Sequence, residues 1–280
     1  MRRIEANHIA DAVARLAIEA CCCLGDDVIQ AIESASADEE SPLGKEILAR
    51  LLQNARIARD EMVPICQDTG VAVAFVSLGS DVEILNGDLA TAINDGVRRG
   101  YEEGYLRKSI VQSPLDRVNT RDNTPAIVYL ESVPGDELTI HLMAKGAGCE
   151  NMSRIAMLTP AAGRQGVVDF VVQTVSQAGG NPCPPTVIGV GVGGTFEKAA
   201  LLSKKALLRE VGSTNPNPEA ADLEQELLTE INKLGIGPMG MGGRTTALAV
   251  CVEMHPCHIA SLPVAVNMDC HAHRHKSVTL

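Results

Sequence analysis

Three cysteines in this chain stand where a thiolate could do chemistry. Cys66 lies in Pro64-Ile65-Cys66-Gln67-Asp68-Thr69-Gly70, between a helical and a β-rich stretch. Cys183 lies in Asn181-Pro182-Cys183-Pro184-Pro185, just before a β-rich run. Cys270 lies in Asn267-Met268-Asp269-Cys270-His271-Ala272-His273-Arg274-His275, just after one. Stiff or polar turns at strand ends are where α/β sheets place their sites. The flanking prolines fix φ and remove an N–H, which holds the nearby backbone still. There is no C-x-x-C pair, so the commonest structural zinc signature is absent. Three separated thiolates do suit an iron–sulfur cluster in which one iron lacks a protein ligand. Such an iron is a Lewis acid, able to polarise a carboxylate and an adjacent hydroxyl. The competing reading is three small buried hydrophobes, because reduced cysteine is among the most buried residue types.

The remaining cysteines, of nine in all, read differently. Cys21-Cys22-Cys23 end the first helical stretch. Adjacent residues point in different directions there and cannot easily share one metal, so they read as buried bystanders. Cys251 falls within a β-rich run and, with Cys257, reads as structural. Cys149, in Gly148-Cys149-Glu150-Asn151-Met152-Ser153, is the tempting fourth ligand. His271, His273 and His275 have the composition of a metal cluster, and alternate positions on an extended segment would point them to one side. Gly189-Val190-Gly191-Val192-Gly193-Gly194 matches G-x-G-x-x-G between a strand and a helix. No convincing βαβ unit with an acidic residue at a second strand end follows it, so its glycines read as permitting close approach to a cluster or substrate.

Composition narrows the functions. The net charge is −11 over 280 residues, which argues against general nucleic-acid binding. Six aromatic residues (Phe 3, Tyr 3, Trp 0) leave little for base stacking. No apolar run is long enough for a membrane span. The N-terminus turns polar too early for a signal peptide, so the expected location is cytoplasmic. An odd number of cysteines in a reducing compartment needs an explanation other than disulfides.

The elements that must position these residues form an α/β pattern. Residues 1–62 read as a helical lead-in, with Ile4, Ile9, Val13, Leu16 and Ala17 at helical spacing and a second apolar face after Ser41-Pro42. Residues 63–280 read as the α/β part of a single domain, the part that carries the cluster. Strands are expected at Val71–Ser77, Ala126–Glu131, Leu138–Met143, Thr186–Val192, Thr246–Val252 and Leu262–Asn267. Helices are expected at Leu89–Glu103, Gly166–Gln177, Phe196–Arg209 and Glu219–Leu234.

Several motifs together resemble one family. Ile65-Cys66-Gln67-Asp68-Thr69-Gly70, Lys145-Gly146-Ala147-Gly148, Cys183-Pro184-Pro185, Leu234-Gly235-Ile236-Gly237-Pro238 and the His258…Cys270 segment resemble the class I, iron–sulfur-dependent fumarate hydratases. Within that group the chain is most similar to the alpha subunit of the two-subunit enzymes and to the related L(+)-tartrate dehydratase alpha subunits. The resemblance implies a [4Fe–4S] cluster on Cys66, Cys183 and Cys270. It implies a substrate site using Gln67, Asp68, Arg107, Lys145, Gly148 and His258, with Asp68 and His258 as the catalytic candidates. Arg107 would clamp a carboxylate, and the glycine-rich turn at Lys145 and Gly148 would cradle one with its N–H groups. Cys149 would line the substrate region, since the family often has serine there. His271, His273 and His275 would be cluster-rim or subunit-contact residues. The implied reaction is reversible hydration of fumarate to (S)-malate, with dehydration of L(+)-tartrate as the alternative. An electron-transfer iron–sulfur protein and a nicotinamide-dependent dehydrogenase are remoter readings. Further arginines, a lysine and a threonine base of the family lie in a C-terminal portion outside this sequence. The resemblance therefore implies a separate beta subunit, in an α2β2 assembly, and an inactive isolated chain.

Overall fold

The structure is a computed structural model and describes residues 2–280. The first elements are β1 (Arg2–Glu5), α1 (Ala6–Cys22), α2 (Asp26–Asp38) and α3 (Pro42–Glu61). They are followed by β2 (Val71–Gly79), β3 (Val82–Leu85), α4 (Leu89–Glu103), β4 (Ile127–Val133), β5 (Leu138–Lys145) and the single turn α5 (Ala147–Glu150). Next come β6 (Arg154–Leu158), α6 (Gly163–Ala178), β7 (Thr186–Gly193), α7 (Phe196–Ala206) and α8 (Pro218–Asn232). β8 (Ala247–His255), β9 (Leu262–Asp269) and β10 (His275–Thr279) complete the chain. The result is a mixed α/β protein with three sheets.

The chain divides into two compact units, each discontinuous in sequence. Of the described residues, the first comprises 2–25, 54–147 and 274–280. Its main sheet has the order β10-β5-β2-β4, and β1 pairs in parallel with β3. β2 is central, antiparallel to β5 and parallel to β4, and its burial on both faces explains its near-continuous apolar sequence. Ile9, Val13 and Leu16 of α1 join Ile93 and Val97 of α4 and the inner residues of β2 and β5 in one core. The two helices meet closely at Gly96 and Gly100, where a Cβ would lie 2.6 Å and 2.7 Å from the carbonyls of Ala10 and Ala14. Within the expected lead-in of residues 1–62, Arg2–Glu5 is a strand, and α1, α2 and α3 follow it.

The second unit comprises residues 26–53 and 148–273. Its sheet has the order β6-β9-β7-β8, with β9 antiparallel to β6 and β7, and β8 parallel to β7. The β7–α7–α8–β8 stretch is thus a parallel crossover, contrary to the expectation that no βαβ unit follows the glycine-rich motif. The glycines of that motif serve the packing of this crossover. A Cβ on Gly189 would stand 1.9 Å from the Ser203 carbonyl, and one on Gly191 2.1 Å from that of Ala199. Gly193 (φ +91°) abuts the His255 carbonyl. The close approach is that of helix α7 and strand β8, which corrects the expectation of a cluster or substrate there.

Candidate functional site

In the first unit, the loop carrying Cys66 is fastened on both sides. The Ile65 N–H donates to the Cys21 carbonyl (2.9 Å), and the Asn54 amide donates to the Ile65 carbonyl (2.8 Å). Beyond the cysteine, the Thr69 hydroxyl donates to the Arg107 carbonyl (2.9 Å) and the Tyr101 hydroxyl to the Thr69 carbonyl (2.7 Å). Gly70 has φ +72°, and a Cβ there would lie 2.4 Å from the Lys145 carbonyl, so only glycine permits the turn into β2. Between these fasteners sit Cys66, with its sulfur 3.3 Å from Gln67 Oε1, and the exposed Gln67.

Asp68 is fixed more tightly. Its Oδ1 accepts the Gly70 N–H (3.0 Å), an Asx turn, and its Oδ2 accepts the Ala147 N–H (2.8 Å). Arg274 donates to the Asp68 carbonyl (2.5 Å). The turn at Gly146 and Ala147 therefore already offers an N–H to a carboxylate of the protein itself. Lys145 is not in that turn: it is the last residue of β5 and almost wholly buried. Gly148 lies in α5. Arg107 is exposed, and among the described residues its guanidinium has no hydrogen-bond or ion-pair partner.

In the second unit, Cys183 and Cys270 share one end of the sheet. Cys183 has φ +54°, a left-handed conformation uncommon outside glycine. Its carbonyl faces the His271 backbone N–H (3.5 Å) and the His271 ring Nδ1 (3.0 Å), which ties its turn to the residue after Cys270. The Pro184 carbonyl accepts the Met239 N–H (2.7 Å). The Cys149 sulfur lies 3.5 Å from the Pro182 carbonyl. The sulfurs of Cys149 and Cys270 and a carboxylate oxygen of Asp269 all lie within 4.8 Å of one another, and all three residues are buried. His273, also buried, places Nδ1 2.7 Å from Asp269 Oδ2. This group of two thiols and a carboxylate has the donors and spacing to bind a metal.

The three histidines expected on one side do not converge. Residues 270–274 bend instead of extending, so His271 meets Cys183, His273 meets Asp269, and His275 opens β10 opposite Met143. His258 is also apart. It is exposed, its Nδ1 accepts the Ala260 N–H (3.1 Å), and it lines a groove of about 520 Å³ with Met157, Phe196, His255 and Cys257. That groove lies before the start of β9, whereas Cys270 follows its end, and a strand of eight residues spans about 26 Å. The sequence reading singled out His273 but not its partner Asp269, and did not single out Arg274. Asp269 was legible in principle, as an acid beside a cysteine at a strand end. The inward course of His273 and Arg274 had no local signal.

Comparison with known proteins fits these observations to a family. The sequence profile of fumarate hydratase (Fumerase) matches residues 10–279. The chain belongs to the fumarate hydratase family. A protein of Methanocaldococcus jannaschii, provisionally named L(+)-tartrate dehydratase subunit alpha, is 43% identical over 274 residues, covering 95% of each chain. L(+)-tartrate dehydratase subunit alpha of Escherichia coli K12 and that of Shigella sonnei are each 36% identical over 272 residues, covering 96% of this chain and 89% of theirs. The reaction class is that of a hydro-lyase, which adds water across a carbon–carbon double bond or eliminates it by breaking a carbon–oxygen bond. Among the described residues no helix is long and apolar enough to cross a membrane.

Proposed function

We propose that the chain is the cluster-bearing alpha subunit of a two-subunit, cytoplasmic hydro-lyase that hydrates fumarate to (S)-malate. The observation that carries this reading is the near end-to-end match to the fumarate hydratase profile and to relatives named as alpha subunits. A [4Fe–4S] cluster on Cys66, Cys183 and Cys270 is part of the proposal. The donors suit it: soft thiols, none in a disulfide, with the Cys183 and Cys270 turns tied together at one sheet end. When bound, such a cluster supplies an open iron as Lewis acid toward a substrate carboxylate and hydroxyl.

The chain's own residues would bind and orient. Arg107, exposed and unpaired, would take one carboxylate in bidentate fashion. Gln67 would add a hydrogen bond beside it. Each Asp68 oxygen already accepts one backbone N–H, which fixes the carboxylate but leaves a lone pair to accept from a substrate hydroxyl. The substrate contacts of His258 and Lys145 rest on the family resemblance alone: the first stands across β9 from Cys270, and the second is buried at the end of β5. Exposed apolar side chains next to the candidate residues support a partner subunit. Tyr105, two residues from Arg107, is 91% exposed, and Leu115 on the same loop is 92% exposed.

A second reading, L(+)-tartrate as substrate, is favoured by the names of the relatives. Both reactions interconvert a four-carbon 2-hydroxy diacid and its dehydrated product by loss or gain of water, and tartrate differs from malate by one further hydroxyl. Anaerobic co-expression with a beta subunit, assayed on fumarate, (S)-malate and L(+)-tartrate, decides between them. Interconversion of fumarate and malate is expected. Turnover of tartrate alone would replace the first reading with the second, and no turnover by a cluster-loaded complex would sink both.

A further inference from the structure

Glu39, at the end of α2, is almost wholly buried and carries a carboxylate. Among the described residues none forms an ion pair with it; instead it sits in a nest of backbone donors. Its Oε1 accepts the N–H groups of Glu40 (3.0 Å) and Ser41 (3.0 Å). The Arg244 N–H lies 2.9 Å from both oxygens, and the Thr245 N–H 3.0 Å from Oε2. The backbone leaves room for it on both sides. A Cβ on Gly44 would lie 2.9 Å from Glu39 Cγ, and one on Gly243 3.0 Å from its carboxylate oxygens. Burial alone would raise this carboxyl, but the four backbone donors outweigh it and hold it below its ordinary value.

The segment it holds leads to a cysteine. The glycine-rich loop of residues 235–245 touches the Cys183 turn at two places, and the residue after the loop pairs with the first residue of β7. A Cβ on Gly240 would lie 2.7 Å from the Gly180 Cα. The Met239 N–H donates to the Pro184 carbonyl (2.7 Å). The Thr246 carbonyl accepts the Thr186 N–H (2.9 Å) and hydroxyl (3.2 Å). Cys183 itself has φ +54°, a conformation that persists only when its surroundings over-determine it. One surrounding is His271; the other is this loop, and the loop's far end is fastened by Glu39.

We infer that Glu39 is a positioning residue for Cys183. It acts through the loop of residues 235–245, holding the cysteine turn in the conformation from which its thiol serves as a ligand. The ligand role of Cys183 rests on the function proposed above; the hold of Glu39 on the turn does not.

The test uses the full chain without cluster, under native conditions, and reads iodoacetamide alkylation of each cysteine by peptide mass spectrometry. In Glu39→Gln, Cys183 should alkylate about tenfold faster, because charged hydrogen bonds to the loop are lost and local opening is easier. Cys66, in the other unit, should keep its rate. Glu39→Asp keeps the charge but shortens the reach, and should give the same selective rise should Glu39→Gln not accumulate. An unchanged Cys183 rate overturns the inference. A parallel rise at Cys66 and Cys183 overturns it too, since Glu39 would then support the fold in general. After anaerobic reconstitution, the paramagnetic signal of the reduced cluster should weaken or change shape in Glu39→Gln. Retention of the chromophore in Cys183→Ser would instead sink the ligand reading and leave the alkylation result standing.

Discussion

The nine thiols separate by environment. Burial pushes Cys21 up to about 12, against an opposing Arg274, and pushes Cys251 up to about 11. Cys22 rises to about 11, first by burial and then by its neighbour Cys23. Such thiols stay protonated at neutral pH and are poor nucleophiles and ligands. Iodoacetamide at neutral pH should therefore label the exposed Cys257 well before Cys21, Cys22 or Cys251; early labelling of Cys21 would contradict its placement. Serine replacement of Cys66, Cys183 or Cys270 should abolish the brown chromophore of the reconstituted chain. Cys149→Ser should keep it, with a serine hydroxyl able to donate to the Pro182 carbonyl in place of the thiol. The proximity of Cys149 to Cys270 makes this variant the sharper test, because colour loss in Cys149→Ser alone would make it a ligand. The three ligand candidates were legible as cysteines in proline-rich or polar turns. The closeness of Cys149, Asp269 and Cys270 was not, because it depends on α5 and the end of β9 meeting in space.

At the scale of elements, strands with dense β-branched runs were readable and short mixed ones were not. Val71–Gly79 and Thr186–Gly193 are buried central strands, and their runs of valine announce them. Arg154–Leu158 and His275–Thr279 are short edge strands, fixed by pairing to β9 and β5; the first is too short to show a period of its own, and the second has one apolar residue. The glycine-rich motif was visible but its purpose was not, since α7 had first to be laid against β7. Gly189→Ala puts a Cβ 1.9 Å from a helix carbonyl, so α7 must move. A loss of about 1–3 kcal/mol is expected by chemical denaturation. A stability within error of the parent would mean that the packing of α7 is looser than described. The connection from α4 to β4 offers a pH-dependent case. Asp122 accepts from the Thr124 N–H (3.0 Å), the Thr124 hydroxyl (2.8 Å) and Arg98 Nε (3.0 Å). Partial burial would raise its carboxyl, but these donors lower it to about 2. A folded value below the unfolded one gives stability that is present above the ordinary carboxylate range, about pH 4, and lost as pH falls toward 2. Asp122→Asn should cost about 1 kcal/mol at neutral pH, and the difference from the parent should vanish in acid. A difference independent of pH would assign the loss to packing.

At the scale of the whole molecule, charge decides what the chain lacks. It carries a net −11, yet the proposed substrate is a dianion. Binding it needs local cations, and many of the chain's cations are engaged. Arg98 pairs with Asp95 and Asp122, Arg99 with Asp11, Arg164 with Glu226, Lys204 with Glu150 and Arg209 with Glu224. Arg274 donates to a backbone carbonyl, and Lys145 is buried. Arg107 can hold one carboxylate but not two. The second carboxylate, and the charge that develops when a proton leaves the adjacent carbon, need donors from elsewhere. A beta subunit is the proposed source, consistent with relatives named as alpha subunits. The purified chain, reconstituted anaerobically, should therefore show the chromophore but no turnover of fumarate, malate or tartrate. Adding the beta subunit should restore turnover and shift the chain to a larger species in size-exclusion chromatography with light scattering. Arg107→Ala should then raise KM for the complex by about tenfold or more, the worth of one charge-assisted bidentate contact. Full turnover by the isolated chain would refute this division of charge, and an unchanged KM in Arg107→Ala would move the clamp to another residue.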